Sequence, residues 1–179
     1  MTKELVLDIC DNTSVGIIAR DNQDRILMIQ RKKYPFGYAC PAGHCDGDAY
    51  PRACHKEFEE ETGLKVVGAP HPVIPKNPRK ENKCRRGGEF HYWQLFEVNW
   101  TGELRQNEEE TKWVGWMAVE EVRHLAAKTQ EYVRRWKLAG QAMERSWTEG
   151  IRESLEKEWE KSPGLEIVWY EFFQELKII

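Results

Sequence analysis

Long apolar runs are missing from the 179-residue sequence. No stretch approaches the roughly 18 consecutive apolar residues that a membrane-spanning helix requires. Residues 1–11 include Lys3, Glu4 and Asp8, so they lack the apolar centre of a secretory signal peptide. The sequence therefore predicts a cytoplasmic protein without a membrane partner.

A basic excess is missing as well, because the formal net charge is -3. Proteins that bind duplex nucleic acid normally carry a basic surface. Local basic clusters occur at residues 31–33, 79–80 and 83–86, and each one alone is typical of solvated loop charge. A nucleic-acid protein built on the basic loop and an aromatic strand is one alternative, but the net charge opposes it.

Paired cysteine motifs are also absent, because the five cysteines include no CxxC pair. In a reducing compartment such cysteines are expected to be free thiols. Cys40, His44, Cys45 and Cys84 do not have the spacing of a known structural zinc site. Zinc is therefore not expected from the sequence.

Apolar patterning divides the chain into a strand-rich part followed by a helix-rich part. Residues 14–20 and 25–31, separated by the turn residues 21–24, predict a β-hairpin. A helix over residues 51–62 is predicted to end at Gly63. Further strands are predicted within residues 34–41 and at 64–67, 90–100 and 112–119. Loops are predicted at 41–48 and 70–86. Further helices are predicted at 120–138, at 142–160 and from about residue 169. This order is typical of an α+β domain with a helical C-terminal extension.

The helix over residues 51–62 carries three acidic residues, Glu57, Glu60 and Glu61, at i, i+3 and i+4. These spacings place the side chains on one helical face. Clustered carboxylates repel each other, and a hard cation such as Mg²⁺, which prefers oxygen ligands, relieves the repulsion. A solvated acidic face is the alternative interpretation, but the preceding Gly-rich loop and the flanking strands favour a site.

Residues 43–64, GHCDGDAYPRACHKEFEEETGL, resemble the Nudix box, G-x5-E-x7-R-E-U-x-E-E-x-G-U, where U is apolar. The second half of the box is occupied, in order, by Lys56, Glu57, Phe58, Glu60, Glu61, Gly63 and Leu64. Lys56 replaces the box arginine, and Asp48 falls on the first glutamate, so a shorter Asp48–Lys56 ion pair is expected. In the same alignment the first glycine of the box corresponds to Ala42, and the glycine of this sequence follows one residue later, at Gly43.

The resemblance implies a Nudix-like α/β/α sandwich with a mixed β-sheet. Residues 1–125 would form the Nudix domain, and residues 126–179 a helical extension packed on it as part of a single structural unit. The implied activity is Mg²⁺-dependent hydrolysis of a pyrophosphate bond in a nucleoside diphosphate linked to a group X. The substrate would be a nucleoside triphosphate, a dinucleotide or a nucleotide sugar, with Mn²⁺ as the alternative ion.

The resemblance also implies the site residues. The metal ligands would be Glu57, Glu60, Glu61 and a backbone carbonyl near Ala42 or Gly43, of which Gly43 is preferred. Candidate catalytic residues are Glu60, Glu61 and Glu110. For Glu110, a position in an ordinary charged turn without a catalytic role is an equal alternative. Candidate substrate-binding residues are Arg31, Arg85, Arg86 and His91. One of Phe90, Tyr92 and Trp93 is a candidate for stacking on a base. The long connection at 70–88 is a candidate for determining which leaving group the enzyme accepts.

Two alternatives to a monomeric enzyme follow from the same residues. A non-catalytic nucleotide-binding or sensor module with a Nudix fold generally lacks the box glutamates, and all three are present here. The helical tail is also a candidate homodimer interface, although most tryptophans at helical spacing after Arg135 are expected to lie in the core.

Overall fold

A computed structural model describes residues 9–140 and 145–179, without the side chains of residues 140 and 145–148. Residues 1–8 and 141–144, together with the Trp147 side chain, lie outside this description, so the expectations placed on them stay predictions. The strands are β1 Thr13–Ala19, β2 Ile26–Arg31, β3 Tyr38–Ala39, β4 Ala42–His44, β5 Lys65–Pro72, β6 Arg79–Lys80, β7 His91–Thr101 and β8 Thr111–Met117. The helices are α1 Tyr50–Thr62, α2 Val119–Gly140, α3 Arg145–Lys161 and α4 Ile167–Glu175.

The chain forms two compact units. The first takes Met1–Ala19, of which residues 9–19 are described, and Pro41–Asn107; the second takes Arg20–Cys40 and Glu108–Ile179. The second unit thus combines β2, β3 and β8 with all three C-terminal helices. The boundary expected between residues 125 and 126 stays a prediction. None of the helices in the described ranges is long and apolar enough to cross a membrane.

The first unit contains a mixed sheet of five strands in the order β4-β1-β7-β5, with β6 paired to β7. Strands β1 and β7 run parallel, with Thr13 opposite Tyr92. The other pairs are antiparallel, including β1 with β4, where Ser14 lies opposite His44. The starts of β1 and β7 and the end of β4 therefore meet at one edge of this sheet.

The second unit contains the antiparallel sheet β3-β2-β8 and the three helices. Its apolar centre includes Trp169, Phe172 and Phe173 of α4, which are fully buried. Tyr132 of α2 stacks on Trp159 of α3 with ring centroids 4.3 Å apart. The expectation that the tryptophans after Arg135 are core residues is correct for Trp169, whereas Trp136 and Trp159 are only half-buried.

The hairpin predicted from residues 14–20 and 25–31 forms only next to its turn, where Arg20 and Ile26 make an antiparallel bridge; the remainder of the two strands pairs elsewhere. β1 pairs with β4 and β7, whereas β2 pairs with β3 and β8. Residues Val15–Ala19 are all buried, which is typical of an internal strand covered on both faces. The turn residues still act locally, since the Asp21 carboxylate accepts the Gln23 and Arg25 backbone N–H groups at 2.9 Å.

Helix α1 was predicted correctly because its end signals are local. Pro51 lies in the first turn, where a missing N–H costs nothing. Gly63 ends the helix in the left-handed region, at φ 71°, and its N–H donates to the Glu59 carbonyl. Ala53, Cys54 and Phe58 form the buried apolar side of the helix. The loop predicted at 41–48 additionally contains β4, which β1 stabilises by pairing.

Phe58→Ala is expected to lower the free energy of unfolding by about 3–5 kcal/mol, because the ring is fully buried and its removal leaves a cavity. Urea unfolding followed by tryptophan fluorescence measures the loss. His55→Ala, at an exposed position of the same helix, is the control and should change stability by less than about 0.5 kcal/mol. Equal effects of the two substitutions would contradict the placement of Phe58.

Candidate active site

A buried carboxylate connects α1 to β4. Glu61 is 8% exposed, and its Oε2 accepts a hydrogen bond from the Ala42 backbone N–H at 2.9 Å. Burying a carboxylate without such a partner costs several kcal/mol. The hydrogen bond therefore holds the helix against the start of β4 and orients the Glu61 side chain.

A second carboxylate of α1 lies against the next residue of β4. The Glu57 side chain is 14% exposed, and a Cβ added at Gly43 would overlap its carboxylate. Only glycine at position 43 allows this approach of a carboxylate to the backbone. Glu57, Glu61, Ala42 and Gly43 thus form one contact region, which agrees with the residues that the box resemblance singled out.

Burial raises the pKa of Glu57 to about 7. The carboxylates of Glu60 and Asp46 contribute to this increase in the pKa, while the charges of Lys56 and Arg86 oppose it. Burial therefore disfavours the negative charge of Glu57 even with the Lys56 ammonium nearby, and such raised pKa values are common at functional sites. A cation beside the carboxylate would compensate that charge.

Glu60 differs from its two neighbours, because its side chain is exposed. Its backbone carbonyl accepts a hydrogen bond from the Asn107 side-chain amide at 3.1 Å. Within the described residues, Glu57, Glu60 and Glu61 are not a group whose ligand atoms all lie within 4.8 Å of one another. Their convergence around a single ion stays a prediction that requires the Glu60 side chain to rotate towards the other two.

The donor chemistry of this region fits a hard divalent cation. The available groups are carboxylate oxygens and the main chain at Gly43, which suit Mg²⁺ or Mn²⁺ better than softer ions. Glycine at position 43 lets the Glu57 carboxylate lie against the β4 backbone, which brings acidic and main-chain oxygen donors into one region.

The ion pair expected between Asp48 and Lys56 does not form. Asp48 pairs with Arg52 at 3.2 Å, and the Lys56 ammonium lies 3.7 Å from Glu57. Arg52 is four residues from Asp48, within reach across a single turn, whereas Lys56 is a further turn along α1.

The predicted substrate-binding arginines of the first unit have different surroundings. Arg86 is half-buried and forms a two-pronged ion pair with Asp46. Arg85 is exposed. Among the aromatic residues, Trp93 is buried and Phe90 lies under Arg79, with 4.1 Å from guanidinium to ring centre. Tyr92 is the exposed member of the set.

His91, predicted to contact substrate, is 1% exposed. Its Nε2 lies 3.2 Å from Nε2 of His44 and 3.1 Å from the Cys10 sulfur. Cys10 was not singled out from the sequence, because no spacing connects it to His91. The parallel pairing of β1 and β7 brings the two together, and sequence periodicity does not reveal which strands pair.

The remaining predicted residues belong to the second unit. Glu110 pairs with Lys33 at 2.7 Å, and the Arg31 guanidinium lies 3.8 Å from the buried Glu166 carboxylate. Burial raises the pKa of Glu166, and the charge of Arg31 opposes that shift. The catalytic role of Glu110 and the substrate role of Arg31 stay predictions.

The sequence matches the NUDIX domain family over residues 11–137. The chain belongs to the Nudix family. It is accordingly a Nudix pyrophosphohydrolase, an enzyme that acts on phosphoric anhydride bonds.

Solved structures support the α+β Nudix fold. A MutT NUDIX hydrolase from Burkholderia pseudomallei aligns with a TM-score of 0.52 at 23% identity, over 61% of this chain and 84% of that one. A NUDIX hydrolase from Nitrosomonas europaea aligns with a TM-score of 0.50 at 20% identity, over 63% of this chain and 76% of that one. No curated protein matches the sequence.

Gly43→Ala is expected to reduce hydrolysis by about 100-fold, because the added Cβ displaces the Glu57 carboxylate by an ångström or so. Initial rates with a nucleoside diphosphate-linked substrate and Mg²⁺ measure the loss. Gly150→Ala is the matched control, since a Cβ there meets nothing within 4 Å. Full activity of Gly43→Ala would show that the Glu57 position is unimportant for turnover.

Proposed function

We propose that this Nudix enzyme hydrolyses a pyrophosphate bond in a nucleoside diphosphate linked to a second group, in a reaction that depends on Mg²⁺. The observation that carries the proposal is the contact region of α1 and β4, where Glu61 bonds to the Ala42 N–H and Glu57 approaches Gly43. The two acidic side chains belong to α1, the helix that the Nudix box predicts, and they are held there against the backbone of β4.

In this proposal Glu57, Glu60, Glu61 and the Gly43 carbonyl hold the cation. When bound, the ion polarises phosphoryl oxygens and lowers the pKa of a coordinated water. Glu57 contributes a largely buried charge, and Glu61 a carboxylate whose orientation is set by Ala42. Glu60, being exposed, is the ligand that moves when substrate arrives.

The proton acceptor for the attacking water is Glu60 or Glu61. Both lie one turn from Glu57, within reach of the same region. Positioning and charge compensation dominate phosphoryl transfer, so the rigid attachment of Glu61 to β4 favours it as an orienting group. Glu60 then has the freedom to accept a proton and release it to solvent.

Substrate recognition is proposed to involve the exposed residues Arg85 and Tyr92. A guanidinium offers two parallel donors to phosphate oxygens, and an aromatic ring offers a stacking face to a base. Arg86 is a weaker candidate for direct contact, because its guanidinium already pairs with Asp46.

Glu60→Gln and Glu61→Gln are each expected to reduce kcat by about 10²–10⁴-fold, through loss of a metal ligand or proton acceptor. Product release from a panel of nucleoside triphosphates, dinucleotides and nucleotide sugars measures the effect. Glu59→Gln is the matched control, because Glu59 lies on the same helix and pairs only at the surface with Lys65.

Three outcomes of this panel are informative. Loss in the two box variants with activity kept in Glu59→Gln supports the site. Unchanged turnover in both box variants contradicts it. Tight nucleotide binding by the wild-type chain without turnover of any substrate would favour the sensor alternative.

Arg85→Gln is expected to raise KM about tenfold with little change in kcat, because a charge-assisted hydrogen bond to a non-reacting phosphate is lost. Steady-state kinetics on the best substrate of the panel test this. Lys83→Gln, in the same loop but paired with Glu89 at 3.1 Å, is the control. A KM equal to that of the wild type would exclude Arg85 from substrate binding.

A further inference from the structure

Two cysteines and two histidines converge at the sheet edge where β1 and β7 begin and β4 ends. Ligand atoms of Cys10, His44, Cys84 and His91 all lie within 4.8 Å of one another. Cys10 precedes β1, His44 ends β4, His91 begins β7, and Cys84 lies in the loop between β6 and β7. We propose that these four side chains form a structural Cys₂His₂ zinc site, separate from the cation site of the Nudix box.

The distances suit a tetrahedral zinc ion. Zinc lies about 2.3 Å from sulfur and about 2.0–2.1 Å from nitrogen, so two nitrogens on one ion are about 3.3 Å apart and a sulfur and a nitrogen about 3.5 Å. The two Nε2 atoms of His44 and His91 are 3.2 Å apart, and the Cys10 sulfur is 3.1 Å from His91 Nε2. The cluster needs to open by only a few tenths of an ångström.

The groups around the cluster hold the ligands in the state that zinc binds. Nδ1 of His91 lies 3.0 Å from the Asn82 backbone carbonyl and 3.2 Å from its side-chain oxygen. Donation from Nδ1 to those oxygens leaves Nε2 with its lone pair directed at the cluster. Metal-bound histidines almost always have such a partner on the second nitrogen.

Both sulfurs accept backbone hydrogen bonds. The Asn12 N–H donates to the Cys10 sulfur at 3.3 Å, and the Gly88 N–H donates to the Cys84 sulfur at 3.3 Å. N–H donors stabilise the negative charge of a thiolate, which is the form of cysteine that binds metal. The Cys84 sulfur is therefore held by a hydrogen bond from the backbone of its own loop.

Gly88 provides the room for the two sulfurs to approach each other. A Cβ at this position would lie 2.5 Å from the Cys10 sulfur and 3.1 Å from the Cys84 sulfur, both too close for a carbon atom. The glycine is thus required by the thiol pair and not by an unusual backbone angle. Both cysteines are free thiols.

The chemistry of the donor set selects zinc over the ion of the Nudix box. Thiolate and imidazole ligands in a tetrahedral arrangement are typical of structural zinc, whereas Mg²⁺ prefers oxygen. Consecutive residues of a strand point to opposite faces of the sheet. Gly43 faces Glu57, so His44 directs its ring to the other face, and one strand separates the two sites.

A zinc ion here would connect segments of the first unit that are distant in sequence. It would tie the segment before β1 and the loop after β6 to the ends of β4 and β7. These two segments also meet through the hydrogen bond from the Cys10 N–H to the Arg86 carbonyl at 3.4 Å. Because β4 also carries Ala42 and Gly43, zinc would hold the strand against which α1 packs.

The test is the metal content of the purified full-length chain, measured by plasma mass spectrometry after dialysis, with the metal-free chain then titrated with Co²⁺. About one zinc per chain is expected, and Co²⁺ should produce the visible absorption of a tetrahedral thiolate complex. Zinc and this absorption should both be lost in Cys84→Ser and in His91→Ala. Cys45→Ala, which removes a buried cysteine next to His44 but outside the four, should keep both.

Glu60→Gln separates this proposal from the proposed function, because it should retain zinc while losing hydrolysis. Wild-type chain without zinc and without a thiolate–cobalt absorption would overturn the proposal, even if the cysteine variants failed to fold. Zinc retained in Cys84→Ser, or lost in Glu60→Gln, would overturn it as well. A Cys10–Cys84 disulfide detected in the freshly purified chain would also do so.

Discussion

The hydrogen bond from the Ala42 N–H to the buried Glu61 carboxylate is the interaction on which the candidate active site depends. A buried carboxylate is tolerated only with partners, so this bond fixes how α1 lies on β4. The attachment in turn brings Glu57 against Gly43, where no side chain interferes. The acidic helix is therefore more than a solvated surface: two of its three box glutamates are withdrawn from water, and Glu60 alone is exposed.

The sequence predicted those features whose signals are local. Helix α1 follows from Pro51 and Gly63, and the family from the spacing of the glutamates and Gly63. Strand partners were not predictable in the same way, because apolar patterns show that β1 and β2 exist but not what each pairs with. For that reason the predicted hairpin is correct only at the Arg20–Ile26 bridge next to its turn. The Asp48–Lys56 pair failed because Arg52 lies one turn closer.

The cluster of Cys10, His44, Cys84 and His91 shows the same limit. These residues are up to 81 positions apart, and only the parallel pairing of β1 with β7 and the antiparallel pairing of β1 with β4 bring three of them to one edge. Strand β4 then has two tasks on its two faces. On one face Gly43 meets the Glu57 carboxylate of the acidic helix, and on the other face His44 joins the sulfur and imidazole ligands, so hard and soft donors stay apart.

The central claim is that the carboxylates of α1 converge on a divalent cation at Gly43. A crystal grown with Mn²⁺ and a non-hydrolysable nucleoside diphosphate analogue tests it through an anomalous difference map recorded at the manganese edge. A manganese peak is expected between Glu57, Glu60, Glu61 and the Gly43 carbonyl, with the Glu60 side chain turned inward from its exposed position. A map without a peak there, with the Glu60 carboxylate still directed into solvent, would contradict it.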